Sequence, residues 1–329
     1  MNLSRRNFLK GTVAGGALLT AGTAAEARPN KTMPPEALGL LFDSTLCIGC
    51  KACVAACKRV NNLPPDPISE EFPMWDAPLD ISGSTFNIIK VYNSGKANRK
   101  DEEVDGYAFM KQSCLHCVDP SCVSACPVSA MIKDPVNGIV AYDPDACIGC
   151  RYCVAACPFG VPRFQYDKAL PKIAKCELCR HRIPDGHYAA CAEVCPTGAT
   201  LYGKVTDLGV EAHRRLALKP GEKTSFPRGR LGGPDWSYQG VAGKYVQQVY
   251  GEKELGGTQM IKLAAVPFDK LGHRPLPERS YASISEGVQH TLYKYLALPA
   301  VVLGVLSVVA KRNTKHEDDD DDSSGRGRK

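Results

Sequence analysis

The amino-acid sequence predicts an α+β fold in which short strands and helices surround groups of cysteines, followed by one C-terminal transmembrane helix. Three observations support this prediction. The chain of 329 residues has 16 cysteines, and all of them fall into four groups of four. Short strand-like and helical stretches alternate between and after these groups. Near the C terminus, uncharged residues run without interruption from Tyr295 to Ala310.

Each group of four cysteines, called a quartet from this point, has a defined internal spacing. The first and third quartets follow the pattern C-x2-C-x2-C-x3-C, and the middle gap widens to four residues in the second and eleven in the fourth. A proline follows the second, third and fourth quartets, whereas Lys58 follows the first. The quartets are Cys47, Cys50, Cys53 and Cys57; Cys114, Cys117, Cys122 and Cys126; Cys147, Cys150, Cys153 and Cys157; and Cys176, Cys179, Cys191 and Cys195.

The pattern C-x2-C-x2-C-x3-C-P is typical of bacterial ferredoxins with two [4Fe–4S] clusters, in which the fourth cysteine ligates the other cluster. We therefore expect the quartets to exchange ligands in pairs. The second and third quartets are adjacent and would form one two-cluster unit, while the first and fourth would pair around it. The sequence thus predicts two interlocked bacterial-ferredoxin-like (2×[4Fe–4S]) units with insertions.

This exchange predicts four ligand sets for iron, one for each of four [4Fe–4S] clusters. They are set 1 (Cys47, Cys50, Cys53, Cys195), set 2 (Cys114, Cys117, Cys122, Cys157), set 3 (Cys126, Cys147, Cys150, Cys153) and set 4 (Cys57, Cys176, Cys179, Cys191).

A zinc ribbon and a disulfide framework are the alternative uses of closely spaced cysteines. Disulfides suit the spacing poorly, since bridges between cysteines three residues apart would be strained or mutually exclusive. His116 and His181 adjoin ligand cysteines and either tune a cluster through hydrogen bonds or, as we favour, are structural or exposed. We expect Lys175, Arg151 and Arg180, also beside ligands, to offset cluster charge rather than bind a substrate.

The N terminus carries an export signal. Residues 4–10, SRRNFLK, form a twin-arginine motif, and the Ala25-Glu26-Ala27 sequence supplies a cleavage pattern, so residues 1–27 are predicted as a signal peptide. An amphipathic helix is the alternative. The twin-arginine route transports folded proteins, which suits a protein whose clusters are assembled before export.

The C terminus carries a membrane anchor. As a helix, the run from Tyr295 to Ala310 would span about 24 Å, slightly less than a hydrocarbon layer of about 30 Å, and flanking residues extend it to 288–311. Lys311, Arg312 and Lys315 follow, and by the positive-inside rule they belong in the cytoplasm. A buried helix of a soluble domain is the alternative. The acidic tail, residues 312–329, is predicted to be disordered.

The segments between these features complete the predicted domain organisation. Residues 28–200 form the four-cluster domain, with an insertion at 58–113 that carries strands at Phe86–Tyr92 and Tyr107–Gln112. A hairpin is predicted between Met131 and Asp143. Residues 201–287 form a C-terminal extension for partner docking. Within it we expect a helix at Glu211–Leu218, a strand at Met260–Val266 and a loop at Pro227–Gly243.

With these motifs in place, the chain resembles the four-cluster ferredoxin-type iron–sulfur subunit of the bacterial type-2 membrane-bound [NiFe] uptake hydrogenase. The likeness covers nearly the whole chain. Besides the leader, it includes LLFDSTLCIGCKAC (40–53), KQSCLHCVDPSCVSACPVSA (111–130), DACIGCRYCVAACP (145–158), KCELC (175–179), RRLALKPG (214–221), YGEKELGGTQ (250–259) and QHTLYK (289–294).

The resemblance implies a subunit that transfers electrons and has no active site of its own. Its partners would be the large and small subunits of a periplasmic [NiFe] hydrogenase and a polytopic membrane subunit that reduces quinone. The chain would lie on the periplasmic face of the inner (cytoplasmic) membrane, with its C terminus in the cytoplasm. The equivalent subunit of a formate dehydrogenase or another molybdenum oxidoreductase is the alternative, because it also has a terminal span and an EXGGT-like stretch.

Other classes of function find less support in the sequence. No nucleophile–base arrangement, phosphate loop or pair of carboxylates has a supporting context, so we expect no chemistry on a substrate. The formal net charge of +6 is modest, and no basic run contains interleaved aromatic residues, which argues against nucleic-acid binding.

Overall fold

The structure of the chain is a computed structural model that describes residues 27–66, 76–234 and 236–321. The described residues fall into two compact units, one formed by Asn30–Ala282 and the other by the terminal segments 27–29 and 283–321. Most of the predicted signal peptide lies outside the described residues, as do residues 322–329 of the predicted tail.

The strands and helices of the described residues are short, apart from the C-terminal helix. The strands are β1 (Leu38–Asp43), β2 (Asn87–Asn93), β3 (Arg99–Lys100), β4 (Gly106–Ser113), β5 (Met131–Lys133), β6 (Val140–Tyr142), β7 (Arg163–Phe164), β8 (Ile173–Ala174), β9 (Thr200–Lys204), β10 (Lys223–Pro227), β11 (Gly229–Arg230), β12 (Ser237–Val241) and β13 (Met260–Leu263). The α-helices are α1 (Ala52–Val60), α2 (Ser121–Ser124), α3 (Tyr152–Ala156), α4 (Ala190–Glu193), α5 (Val205–Leu216) and α6 (Tyr281–Asp321). Two 3-10 turns lie at Arg180–Arg182 and Glu254–Gly256.

The largest sheet has the strand order β11-β9-β1-β13 and is covered on both faces. Strand β1 runs antiparallel to β9 and parallel to β13. Its apolar sequence LGLLFD is explained by this double burial, since Leu40 and Phe42 pack in the cluster that contains cysteines, and Leu41 packs with α5. Each such side chain, fully buried, contributes about 1.5–3 kcal/mol.

Helix α5 covers the other face of this sheet through an amphipathic pattern. Leu208, Glu211, Ala212 and Arg215 are its buried residues, at the i, i+3, i+4 and i+7 positions of one helix face. The predicted helix at Glu211–Leu218 is thus confirmed, although it begins six residues earlier, at Val205. The first turns have low helix propensity, and burial of Leu208 at 0% exposure compensates for it.

The predicted insertion, residues 58–113, contributes to the core. Both of its predicted strands are confirmed as β2 and β4, which pair antiparallel, with β3 parallel to β4 at the edge. Ile89 of β2 and Met110 of β4 pack in the same apolar cluster as the cysteines of the first quartet.

The predicted hairpin between Met131 and Asp143 is also confirmed, with β5 antiparallel to β6. Gly138 closes the turn with a φ of +69°, and a Cβ atom there would lie 2.6 Å from Oε1 of Gln259. Both the left-handed backbone and the close approach therefore require glycine at this position.

The predicted extension, residues 201–287, differs from the structure in two respects. Its strands β9, β11 and β13 share the large sheet with β1, so residues up to Ala282 belong to the same compact unit as the cysteines. The predicted strand at Met260 is confirmed, but the predicted loop at Pro227–Gly243 is wrong, because it contains β11 and β12. Strand β12, SYQGV, is mostly exposed and lacks apolar alternation, so its pairing with β10 leaves no signal in the sequence.

The second unit contains helix α6. Tyr281–Arg312 is the one stretch of the described residues that is long and apolar enough to cross a membrane, and its apolar window is fully exposed in the structure. Arg28 forms an ion pair of 2.5 Å with Glu286 near the start of the helix. The helix continues to Asp321, so the predicted disordered tail begins as helix in the structure.

Candidate iron–sulfur centre

The first and third quartets fold into the same loop. In each Cys-Ile-Gly-Cys sequence the glycine has a positive φ, 70° at Gly49 and 73° at Gly149. The residue after the second cysteine is also left-handed, with a φ of 56° at Lys51 and 64° at Arg151, and a short helix follows directly. The matching sequence spacing therefore produces matching backbone geometry.

Backbone N–H groups point at cysteine sulfurs in the third and fourth quartets. Gly149 donates to Sγ of Cys147, Leu178 to Sγ of Cys176 and Thr200 to Sγ of Cys195, each at 3.4 Å. Such donors favour the thiolate form of cysteine and the negative charge of a bound cluster.

The helices that carry cysteines contact each other in pairs. Helix α1, which carries Cys53 and Cys57 of the first quartet, packs on α4 of the fourth quartet through Ala56 and Ala190. Helix α2 of the second quartet packs on α3 of the third, and Cys122 and Cys153 lie in one apolar cluster there. The contacts thus join the first quartet with the fourth and the second with the third.

Three cavities are each lined by four cysteines. One is lined by the cysteines of set 1, among them Cys195 from the fourth quartet. The next is lined by the cysteines of set 4, among them Cys57 from the first quartet. The last is lined by the cysteines of set 3, among them Cys126 from the second quartet.

The cysteines of set 2 also lie together, as their effects on one another show. Burial raises the pKa of Cys117, and Cys157, Cys122 and Cys114 raise it further. Burial likewise raises the pKa of Cys122, with Cys114 and Cys157 as the next causes. The structure therefore brings together the members of each of the four sets, while the iron that each sulfur would bind stays a prediction.

The donor groups fit iron–sulfur clusters better than the alternatives. All 16 cysteines are free thiols, so the disulfide framework finds no support. Among the described residues, no three His, Cys, Asp or Glu side chains converge as they would around one metal ion. A structural zinc site needs four ligands at about 2.0–2.3 Å from a single point, whereas a cluster needs sulfurs spread around a larger body.

Burial makes these thiols weak acids in the absence of metal. It raises the pKa of Cys47 and of Cys57 to about 12. For Cys53 burial raises the pKa to about 11, and the nearby Lys111 opposes the shift. At neutral pH the empty sites would therefore hold neutral thiols, and iron binding would release their protons.

Sulfurs of different sets also act on one another, which gives the spatial order of the sets. After burial and Lys111, the strongest cause of the raised pKa of Cys53 in set 1 is Cys191 in set 4. Burial is the main cause of the raised pKa of Cys176 in set 4, and Cys57 and then Cys114 of set 2 raise this pKa further. Cys153 in set 3 raises the pKa of Cys122 in set 2. These effects join set 1 with set 4, set 4 with set 2, and set 2 with set 3, and from them we infer the order 1, 4, 2, 3.

The histidines and charged residues beside the ligands occupy different environments. His116 is buried, and its Nδ1 accepts a hydrogen bond of 3.0 Å from the N–H of Val140, which is a structural role. The exposed His181 lies 3.1 Å from the carbonyl oxygen of Val60. Buried Lys175 donates to the carbonyl oxygens of Val140 and Cys176, and it acts on Cys122 as expected of a compensating charge.

The two arginines have other contacts. Arg151 lies 5.5 Å from the ring centroid of Phe164, and Arg180 pairs with Glu177 and donates to the carbonyl oxygen of Tyr142 at 3.2 Å.

Two lysines that lie near the cysteines were not singled out from the sequence, the partly buried Lys133 and the buried Lys111. Lys133 donates to the carbonyl oxygen of Cys117 at 2.8 Å, and burial lowers its pKa to about 8 against the effect of the set 2 sulfurs. Lys111 lies at 0% exposure in β4. The signal in the sequence is a lysine next to Met110 in a strand in which Ala108, Met110 and Ser113 are also buried.

Comparison with known proteins agrees with the cysteine geometry. Two family models, each described as a 4Fe-4S dicluster domain, match residues 46–130 and 106–205 and together include all four quartets. A model of the twin-arginine translocation pathway signal sequence matches residues 2–22.

Relatives of two kinds are informative. The chain is 46% identical over 322 residues to the hydrogenase-2 operon protein HybA of Shigella flexneri, which covers 96% of this chain and 97% of the relative. HybA of Escherichia coli matches to the same extent. The formate dehydrogenase iron-sulfur subunit of Haemophilus influenzae is 34% identical over 194 residues, 59% of each chain. The chain therefore belongs to the HybA family of ferredoxin-type 4Fe-4S dicluster proteins.

Proposed function

We propose that this chain relays electrons through four [4Fe–4S] clusters between a periplasmic [NiFe] hydrogenase and a quinone-reactive membrane subunit. The observation that carries the proposal is the grouping of 16 free cysteines into four neighbouring sets within one compact unit. Each cluster, when bound, would accept and release one electron at a time. The protein would hold the clusters at fixed separations and exclude water from the eight ligands that are buried.

The proposed ligands are sets 1 to 4 as defined above, so that each two-cluster unit exchanges its last cysteines. Support comes from the cavity that joins Cys195 to the first quartet and from the cavity that joins Cys57 to the fourth. The contacts between α1 and α4 and between α2 and α3 favour the same pairs. The two ferredoxin-like units would then be interlocked.

The order of the sets predicts a single electron path with set 1 and set 3 at its ends. The loops of these two sets each present an apolar side chain to solvent, Ile48 at 55% exposure and Ile148 at 66%. Because electron transfer requires close approach between redox groups, we infer that partners contact the protein at these two loops. One end would receive electrons and the other would deliver them.

The proposed location is the periplasmic face of the cytoplasmic membrane, with a single span. The twin-arginine signal match supports export, and the helix Tyr281–Arg312 supports anchoring. Lys311 and Arg312 follow the apolar run, so the positive-inside rule favours a cytoplasmic C terminus. A reporter that is active only in the cytoplasm, fused after Lys329, should be active. Activity of a periplasm-specific reporter at that position would contradict this orientation.

The names of the HybA relatives refer to a hydrogenase operon, which supports hydrogenase subunits as partners. The second candidate is the equivalent role in a formate dehydrogenase. It is favoured by a likeness to a formate dehydrogenase subunit over 59% of the chain, and the near-full-length match to HybA favours hydrogenase instead.

Affinity purification of the tagged chain from detergent-solubilised membranes tests the proposal. We expect the large and small subunits of a [NiFe] hydrogenase and one polytopic membrane protein to co-purify. Recovery of a molybdopterin-binding subunit in their place would establish the second candidate. The isolated chain should neither oxidise hydrogen nor reduce quinone, and turnover by the isolated chain would contradict a pure relay role.

A further inference from the structure

Lys111 differs from the other buried lysines of the core. Its side chain is at 0% exposure, yet its Nζ has no hydrogen-bond partner among the described residues. The ammonium groups of the other buried lysines donate to carbonyl oxygens, and these are Lys58, Lys175 and Lys262. An ammonium that is buried without a partner is costly to the fold, so such groups are rare unless a counter-charge is present.

The backbone around Lys111 holds the residue firmly in position. Lys111 lies in β4 opposite Ile89 of β2. Its carbonyl oxygen accepts a hydrogen bond of 2.8 Å from Nζ of Lys262, which is itself fully buried. The strand therefore cannot turn the side chain toward solvent without breaking buried contacts on both sides.

Cysteine sulfurs from two sets act on the Lys111 side chain. Burial disfavours its charged form, but Cys191, Cys53, Cys195 and Cys57 together outweigh burial and raise its pKa above the ordinary value. Two of these cysteines belong to set 1 and two to set 4. Lys111 also lines the cavity of set 4.

Cluster chemistry supplies the missing counter-charge. Four thiolate ligands outweigh the positive charge of the iron–sulfur core, so a ligated cluster is negative and becomes more negative when it accepts an electron. Because Lys111 lies beside sulfurs of both sets, it would be attracted to both clusters in a medium of low dielectric constant. The strongest sulfur effects on Lys111 all come from set 1 and set 4.

We propose that Lys111 is the shared counter-charge of the clusters in sets 1 and 4, and that it raises the reduction potential of both. This inference rests on the proposed four-cluster relay. A positive charge at a fixed place favours the reduced form of each neighbouring cluster, since net charge is one of the determinants of cluster potential. Half of the relay would thus be tuned by one side chain from the segment inserted between the first and second quartets.

The test compares Lys111→Met, which removes the charge at similar length, with Lys111→Arg, which keeps it. The complex is purified anaerobically from membranes, its iron and acid-labile sulfide are measured, and its clusters are titrated potentiometrically with detection by electron paramagnetic resonance. Lys90→Met on β2 is the matched control, because Lys90 is partly exposed and pairs with Asp76 at 3.6 Å.

We expect Lys111→Met to lower the potentials of two clusters and to leave the other two unchanged, while Lys111→Arg and Lys90→Met resemble the wild type. If Lys111→Met protein binds less iron than the wild type does, its remaining clusters are identified. In that case, loss of only the clusters of sets 1 and 4, together with full iron content in Lys111→Arg, supports the same role. Three results for Lys111→Met would overturn the inference. They are unchanged reduction potentials at full iron content, an equal shift of the potentials of all four clusters, and iron loss from all four clusters. Wild-type protein without four clusters would instead refute the proposed relay itself.

Discussion

Replacement of Arg215 by methionine tests how the core is held against the first quartet. Arg215 lies on α5 at 0% exposure. Its Nη1 donates to Oδ2 of Asp43 at 3.0 Å, and its Nε donates to Oε1 of Glu211 at 2.8 Å. Asp43 ends β1, immediately before the loop of the first quartet, and it also accepts a hydrogen bond of 2.8 Å from Tyr245.

The magnitude follows from the burial of this network. Removing one partner of a buried ion pair costs about 3–5 kcal/mol, and here Asp43 would stay buried without its cationic partner, whereas Glu211 would keep Arg214. The guanidinium also lies 5.3 Å from the ring centroid of Phe226, a contact worth about 0.5–2 kcal/mol that methionine only partly replaces. We therefore expect Arg215→Met to lower the free energy of unfolding by about 4 kcal/mol, a large fraction of the 5–15 kcal/mol typical of a domain.

A matched control lies one residue away. Arg214 pairs with the same Glu211 at 2.6 Å, but its side chain is 38% exposed. Partly solvated pairs of this kind contribute about 0–1 kcal/mol, so Arg214→Met should cost about 1 kcal/mol or less. Denaturant unfolding of both variants under anaerobic conditions, followed by circular dichroism, gives the comparison. Equal destabilisation by the two substitutions would refute the role assigned to the buried network.

Three further predictions concern the ligands, the sheet and the anchor. Cys195→Ala should remove the cluster of set 1 and retain that of set 4, as resolved by electron paramagnetic resonance, and the opposite loss would disprove the ligand exchange. Gly39→Ala should destabilise the protein by at least about 2 kcal/mol, because its Cβ would lie 2.1 Å from the carbonyl oxygen of Gln259. Gly209→Ala on α5 is the control, since no atom lies within 4 Å of its added Cβ, and it should be neutral or stabilising in denaturant unfolding. A chain that ends at residue 287 should appear in the soluble periplasmic fraction with its clusters intact, and its retention in membranes after a salt wash would show that the helix is not the anchor.

The features that were predictable from the sequence are those with a rigid local code. The cysteine spacing predicted the loops of the first and third quartets. In both loops a glycine and a second left-handed residue stand at the same positions relative to the cysteines, as Gly149 and Arg151 do in the third quartet, and they give the same backbone conformation. The turn at Gly138 and the strands β2 and β4 were equally readable, since turn residues and β-branched or aromatic residues mark them locally.

The features that escaped prediction depend on distant partners. The start of α5 is stabilised by burial of Leu208 against the sheet, and β12 exists only because β10 pairs with it. The place of β13 beside β1 joins residues about 220 positions apart, which no local pattern encodes. For the same reason the position of Lys111 between cysteines of two sets became visible only once all of the strands were assembled.

Iron and acid-labile sulfide per chain, measured on protein purified anaerobically from membranes, test the central claim most directly. Four cubanes on 16 cysteines predict about 16 Fe and about 16 sulfide per chain. Zinc without sulfide would contradict a four-cluster electron relay. About half of that iron content, in protein whose metal sites are all filled, would also contradict it.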